Sequence, residues 1–191
     1  MIKELLMKYI ALSDAVRPGY SGSLGQANQE WEMAFSAITP VIPVFFREIY
    51  CRWEGTKREM ENQPYMDFIP GYRLIHIGEL AQEYHALLEN LELDDVCEAE
   101  IESIIPILAD DASCYICYVK TRRNQEAVFS YSPEEGLERM HDSVEAFLKT
   151  IIAFYEEKVY FKDEDGFLDY DFDREGTVGA AWNPGIEYWI G

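Results

Sequence analysis

The stretch from Ile104 to Val119 constrains the fold more than any other, because two apolar runs are split there by one acidic break, Asp110-Asp111-Ala112-Ser113. The first run, Ile104-Ile105-Pro106-Ile107-Leu108-Ala109, is too short for a helix and has a proline inside it. The second, Cys114-Tyr115-Ile116-Cys117-Tyr118-Val119, is rich in aromatic and β-branched residues. Runs of this length, bounded by turn residues, read as a hairpin or two neighbouring strands buried on both faces. Both faces then need covers, and helical patterns lie on either side. A sheet with helices around it is the expectation.

The flanking patterns can be taken in order. Met1 to Leu12 places Leu5, Leu6, Tyr9 and Ile10 on one helical face, and Pro18 to Gly25 reads as a loop. The glycines of that loop are not followed by Gly-Lys-Ser/Thr, so it is not a phosphate loop. Asn28 suits the cap of a helix carrying Trp31, Phe35 and Ile38, ended by Thr39-Pro40. Pro43 suits the first turn of another, with Phe45, Phe46, Ile49, Tyr50 and Trp53 on one apolar face and Gly55 at its C′ position. Residues 65–69 and 72–77 read as strands joined at Pro70-Gly71. A helix from Glu79 carries Leu80, Tyr84, Leu87, Leu88 and Leu91, and Ala127 to Tyr131 is a further strand. Asp142-x-x-Glu145 resembles a capping box ahead of Val144, Phe147, Leu148, Ile151, Ile152 and Tyr155. From Lys162 onward the chain reads as loop-rich. No internal repeat or composition break divides it, so 191 residues form one domain.

Composition bounds the function. An apolar content of 48% with 14% aromatics excludes a disordered chain. The net charge of −20 argues against binding nucleic acid phosphates or anionic membranes, and it favours a basic protein partner. The charge is clustered. Glu79 to Glu102 holds nine acidic residues and no Lys or Arg, and Phe161 to Gly176 holds seven against two, so these segments carry −14 of the −20. A uniform solubility coat would be spread more evenly. Met1 to Leu12 does not read as a secretory leader, no apolar run has the length of a membrane span, and Cys51, Cys97, Cys114 and Cys117 lack a framework spacing. The expectation is a cytoplasmic protein with reduced core thiols.

Nothing in the chain reads as catalytic, and no cofactor or metal is expected. Cys114 and Cys117 are three apart on a strand, so they point to opposite faces, and no second pair completes a zinc site. Asp169, Asp171 and Asp173 alternate like the start of a calcium loop, but Arg174 stands where glycine is needed and Ala180 where a bidentate Glu is needed. A solvated acidic loop is the plainer reading. His76, His85 and His141 share no spacing that makes a triad or a metal site. Trp53 and the Glu54-Gly55-Thr56 turn belong either to the core or to a binding surface.

Several stretches, in order, resemble the SUKH superfamily, the bacterial group related to the yeast Smi–Knr regulator of cell-wall synthesis. They are Ile42-Pro43-Val44-Phe45-Phe46 running to Trp53-Glu54-Gly55-Thr56, Ile69-Pro70-Gly71-Tyr72, Ile105 to Asp111, Val128 to Leu137, and the helix start from Asp142-Ser143 to Phe147-Leu148. The resemblance spans about residues 26–175, with 1–25 an N-terminal helix and loop and 176–191 a tail. One departure is Ala112-Ser113-Cys114, where relatives tend to have glycines. The resemblance implies an α+β fold with a curved, largely antiparallel sheet and helices packed against it. It also implies a non-enzymatic role. Bacterial members are mostly immunity proteins that bind and neutralise a toxin domain, often a nuclease, whereas the fungal relatives act as regulatory scaffolds.

Together these readings give a monomeric immunity protein that occludes a basic toxin domain, with a regulatory scaffold as the alternative. The candidate binding residues are Glu54, Asp110, Asp111, Asp163, Asp165, Asp169 and Asp171, with Trp53 as an anchor.

Overall fold

The computed structural model describes residues 1–93 and 101–190. The two central runs form β3 (Ile101–Ala109) and β4 (Tyr115–Thr121), paired antiparallel and buried on both faces over most of their length. Pro106 is accommodated by a bulge. The register passes from Pro106 opposite Cys117 to Leu108 opposite Ile116, leaving Ile107 without a partner on β4. The Ile107 carbonyl instead accepts the Ile75 N–H at 3.2 Å. A bulge is where a strand can hold a residue that lacks an N–H.

Around this pair lies a six-stranded antiparallel meander, curled on itself, in the order β1 (Asp67–Ile69), β2 (Tyr72–Leu74), β3, β4, β5 (Glu126–Ser132) and β6 (Gly136–His141). With helices packed against it, this is a single α+β domain. The strands expected at 65–69 and 72–77 are shorter: a 3₁₀ turn, Gln63–Tyr65, precedes β1, and Ile75, past the end of β2, bridges Thr56. The sequence reading missed β6. It is an edge strand whose first four residues are at most half-buried, so no alternation marks it.

The helices are α1 (Ile2–Val16), α2 (Tyr20–Ser23), α3 (Val44–Tyr50), α4 (Leu80–Leu93) and α5 (Val144–Glu156). The last begins at Ser143, whose Oγ accepts the Ala146 N–H at 3.0 Å, a cap worth about 1 kcal/mol. All six of its expected core positions are buried, each contributing roughly 1.5–3 kcal/mol. It packs on α1, β5 and β6. α1 runs past its expected end at Leu12, and its last turn is pinned: Ser13 Oγ donates to Tyr155 at 3.0 Å. Beyond it, Arg17 is buried over the Tyr20 ring, donating to the carbonyls of Asp67 at 2.9 Å and Pro64 at 3.3 Å.

Four expectations are corrected. The Asn28 helix is a single 3₁₀ turn, Trp31–Phe35, in which Phe35 alone is buried. Pro43 precedes α3 as its cap, and Gly55 is not the C′ of that helix. Gly55 instead has φ +86° in a later turn, where a Cβ would stand 2.5 Å from the Ile75 carbonyl oxygen. Cys51 is exposed at the end of α3, while Cys114 is half-buried, Cys117 is buried, and Cys97 lies outside the described residues. The tail is not loop-rich. It forms a hairpin of β7 (Tyr160–Lys162) and β8 (Leu168–Tyr170), then α6 (Phe172–Trp182) and a 3₁₀ turn, Glu187–Trp189.

α6 escaped notice because Gly176, Thr177, Val178 and Gly179 are poor helix formers. Tertiary packing overrides that preference: the Trp189 ring occupies the space a Gly179 side chain would need. The segment is also tied by polar bonds. Trp189 Nε1 donates to the Met140 carbonyl at 2.8 Å, and buried His141 Nδ1 meets Asn183 Oδ1 at 2.8 Å. Asn183 Nδ2 in turn donates to Thr150 Oγ1 and to the Gly179 carbonyl. Among the described residues, no helix is long and apolar enough to cross a membrane.

Candidate protein-binding face

A meander reverses direction at every strand, so its turns fall alternately at the two ends of the sheet. The β1–β2, β3–β4 and β5–β6 turns share one end, and the β4–β5 turn lies at the other. The first end carries Asp110, Asp111, Glu134 and Glu135, and the second carries Lys120, Arg122 and Arg123. This topology gathers acidic turns that are separate in sequence at one end, while the bases at the other end share it with Glu102 and Glu126.

The acidic turns are built by their own carboxylates. Asp110 Oδ1 accepts the N–H groups of Ala112 at 2.8 Å and Cys114 at 2.7 Å, leaving Asp111 exposed. Ser113 takes the left-handed conformation, φ +65°, that a glycine would adopt without strain. Burial pushes the Cys114 thiol up to about 11, assisted by the negative charges of Asp110, Glu134 and Glu135. The two turns therefore lie within electrostatic reach of each other.

The C-terminal acidic segment reaches the same end through Glu175 and Tyr188, while its carboxylates nearer the β7–β8 hairpin hold local structure. Asp163 Oδ1 accepts the Phe167 N–H at 2.8 Å in the β7–β8 turn, and Asp171 Oδ1 caps α6 through the Arg174 N–H at 3.1 Å. Asp165 and Asp169 are exposed. Burial raises the Tyr188 hydroxyl to about 12, with Glu175, Glu138, Tyr170 and Glu135 adding to the shift, so α6 and the β5–β6 hairpin meet at this residue. Burial raises Asp67 as well. Its Gly71 N–H bond and Arg17 oppose that shift, and Asp111 adds to it. Exposed rings lie among these carboxylates: Phe161, Phe167 and, at 76% exposure, Phe172.

Trp53 and Glu54 are placed elsewhere. They sit beyond the Leu74 end of β2, whereas the β3–β4 turn lies at its Tyr72 end. Trp53 is half-buried against the core. Glu54 approaches His76 Nε2 at 3.5 Å, and its backbone holds Leu24 and Ile77. Neither residue lies at the acidic end.

The other acidic segment is not the unneutralised block its local composition implied. Arg73, almost fully buried on β2, pairs with Glu79 at 2.8 Å and Glu83 at 2.6 Å, and donates to the Thr56 carbonyl at 2.8 Å. Glu83 also accepts from Tyr115 at 3.0 Å and approaches Arg58 at 3.3 Å, while Glu102 pairs with Lys120. The compensating bases come from distant parts of the chain, which local charge counting does not see. The acidic residues between 94 and 100 lie outside the described residues.

The residues that sequence reasoning missed at the acidic end are Glu134, Glu135, Glu175, Tyr188 and the exposed phenylalanines. A recognised β6 would have exposed the first two, since any turn two strands from Asp110 in a meander returns to its end. The calcium-like alternation is resolved as strand, cap and helix: Asp169 lies on β8, Asp171 caps α6 and Asp173 stands in its first turn. Among the described residues, no three His, Cys, Asp or Glu groups gather as a metal site. Such a face attracts cations at long range and offers apolar rings at contact. No family model matches this chain, and no curated protein does.

Proposed function

We propose that this chain is a non-enzymatic binding module of the SUKH type, an immunity protein that neutralises a basic toxin domain by covering it. The observation that carries the reading is the convergence of the β3–β4 turn, the β5–β6 turn and the α6 region into one acidic end with exposed phenylalanines. Carboxylates of one sign steer a basic partner into encounter and set its orientation, and buried rings supply most of the affinity. The resemblance read from the sequence supports the same role, as does the net charge of −20. We place the protein in the cytoplasm, where such a toxin would act.

The test is capture by the tagged chain from its host, followed by expression of the captured protein alone and with the chain. One basic protein recovered near one-to-one, toxic alone and harmless in combination, supports immunity. In that complex Asp111→Lys, Glu135→Lys and Asp165→Lys together should weaken binding and flatten its salt dependence. Unchanged binding would remove the acidic end from the mechanism. Many substoichiometric, non-toxic partners would favour the regulatory scaffold instead.

A further inference from the structure

Between α6 and the C-terminal 3₁₀ turn lies a groove of about 600 Å³, lined by Phe172, Glu175, Tyr188, Trp189 and Ile190 among others. Phe172 and Ile190 are 76% and 64% exposed, so the groove has apolar lips left open by the described residues. Glu175 is half-buried in its lining, and its carboxylate accepts one long hydrogen bond among the described residues, from Tyr160 at 3.3 Å. No Lys or Arg among the described residues pairs with it. The neighbouring Arg174 is turned away, donating to the carbonyls of Glu157 and Lys158 at the end of α5. Tyr160, Tyr170 and Tyr188 all lie within electrostatic reach of Glu175, and Tyr188 lines the groove with it.

We propose that this groove is the receptor for an arginine side chain presented by the basic protein partner, its guanidinium paired with Glu175 and stacked on Tyr188. The inference rests on the reading of the partner as a basic protein and adds the group it inserts. The groove supplies an uncompensated carboxylate at its base, aromatic faces around it and apolar lips for the aliphatic stem. Arginine suits it better than lysine, because the guanidinium is planar, weakly hydrated and stacks on rings. Burial raises the Glu175 carboxyl to about 7, against the opposing Tyr160 bond. The cation would reverse that shift, so binding near neutrality releases a proton.

The probe is the peptide Ac-Gly-Arg-Gly-NH2, titrated into the intact chain and followed by amide NMR, with Lys and norleucine peptides as comparisons. Shifts should concentrate on Glu175, Gly176, Thr177, Tyr188 and Ile190, with arginine strongest and norleucine silent. Glu175→Gln, nearly isosteric, should weaken arginine binding about tenfold, and Phe172→Ala, at an exposed position, should weaken it without unfolding the protein. Calorimetry in two buffers of different ionisation enthalpy should show proton release at pH 7. Equal binding of norleucine would make the groove merely apolar. Shifts spread over Asp111, Asp165 and Glu135 would reduce the effect to surface attraction, lysine binding as well as arginine would remove the stacking, and silence at the groove would overturn the inference. None of these outcomes depends on finding the partner, whose capture tests the broader role separately.

Discussion

Replacing Arg73 by methionine should be among the most damaging single changes in the protein. The side chain is 1% exposed and its guanidinium serves Thr56, Glu79 and Glu83, the last with a side chain only 7% exposed. Methionine fills much of the same volume, so the loss is electrostatic. Glu83 would be left buried with the Tyr115 hydroxyl and the 47%-exposed Arg58 as its remaining partners. Breaking a buried pair by removing one member costs about 3–5 kcal/mol, and rescue by Arg58 places this case near the lower figure. For a domain of this size that lowers the melting temperature by roughly 6–12 °C. Urea unfolding followed by fluorescence and circular dichroism would measure it. The double variant Arg73→Met with Glu83→Met removes both buried charges, so it should lose less than the sum of the singles by more than about 1 kcal/mol. A loss under about 1 kcal/mol for Arg73→Met, or strict additivity, would refute the account of the network.

Three further outcomes follow from the same structure. Burial lowers His141 to about 4 against the Asn183 bond and Asp142, so the folded protein holds it neutral and loses stability as pH falls from about 6.5 toward 4. Glu175 works in the opposite sense: with its carboxyl raised to about 7, the folded state binds more protons than the unfolded one, and stability falls as pH rises from about 4.5 to 7. Stability curves of His141→Gln and Glu175→Gln should therefore separate the two, the first losing the acid limb and the second gaining on the parent above pH 7. Parallel curves would contradict both assignments. Ser113→Gly should stabilise the chain by up to about 1 kcal/mol, because φ +65° strains a side chain, and thermal melting would detect it. A loss instead would mean that the Asp110 turn needs serine itself.

Much of the architecture was legible because its signals are local. The apolar runs around Asp110-Asp111, the six core positions of α5 and the Pro70-Gly71 turn each follow from spacing and turn chemistry alone. The candidate site was legible only in fragments. Asp110 and Asp163 could be named as acidic, but their carboxylates are engaged in holding turns, and their exposed neighbours Asp111 and Asp165 carry the free charge. Trp53 and Glu54 looked equally available and were placed at the far end of β2. The hidden elements, β6 and α6, lacked a periodic apolar face or good helix formers, and neighbours supply the packing that makes them form.

By itself the sequence determined the strands and helices that carry their own pattern, the total charge, and the absence of any familiar catalytic spacing. Tertiary structure decided where the charge acts. Glu79 and Glu83, in the densest acidic segment, are matched by Arg73 and Arg58 from other parts of the chain, while Asp111, Glu135 and Glu175, far apart in sequence, come to one end. The reason is physical. Coulomb interactions depend on distance and burial in space, and a meander sorts its turns by strand parity, which no window of neighbouring residues contains.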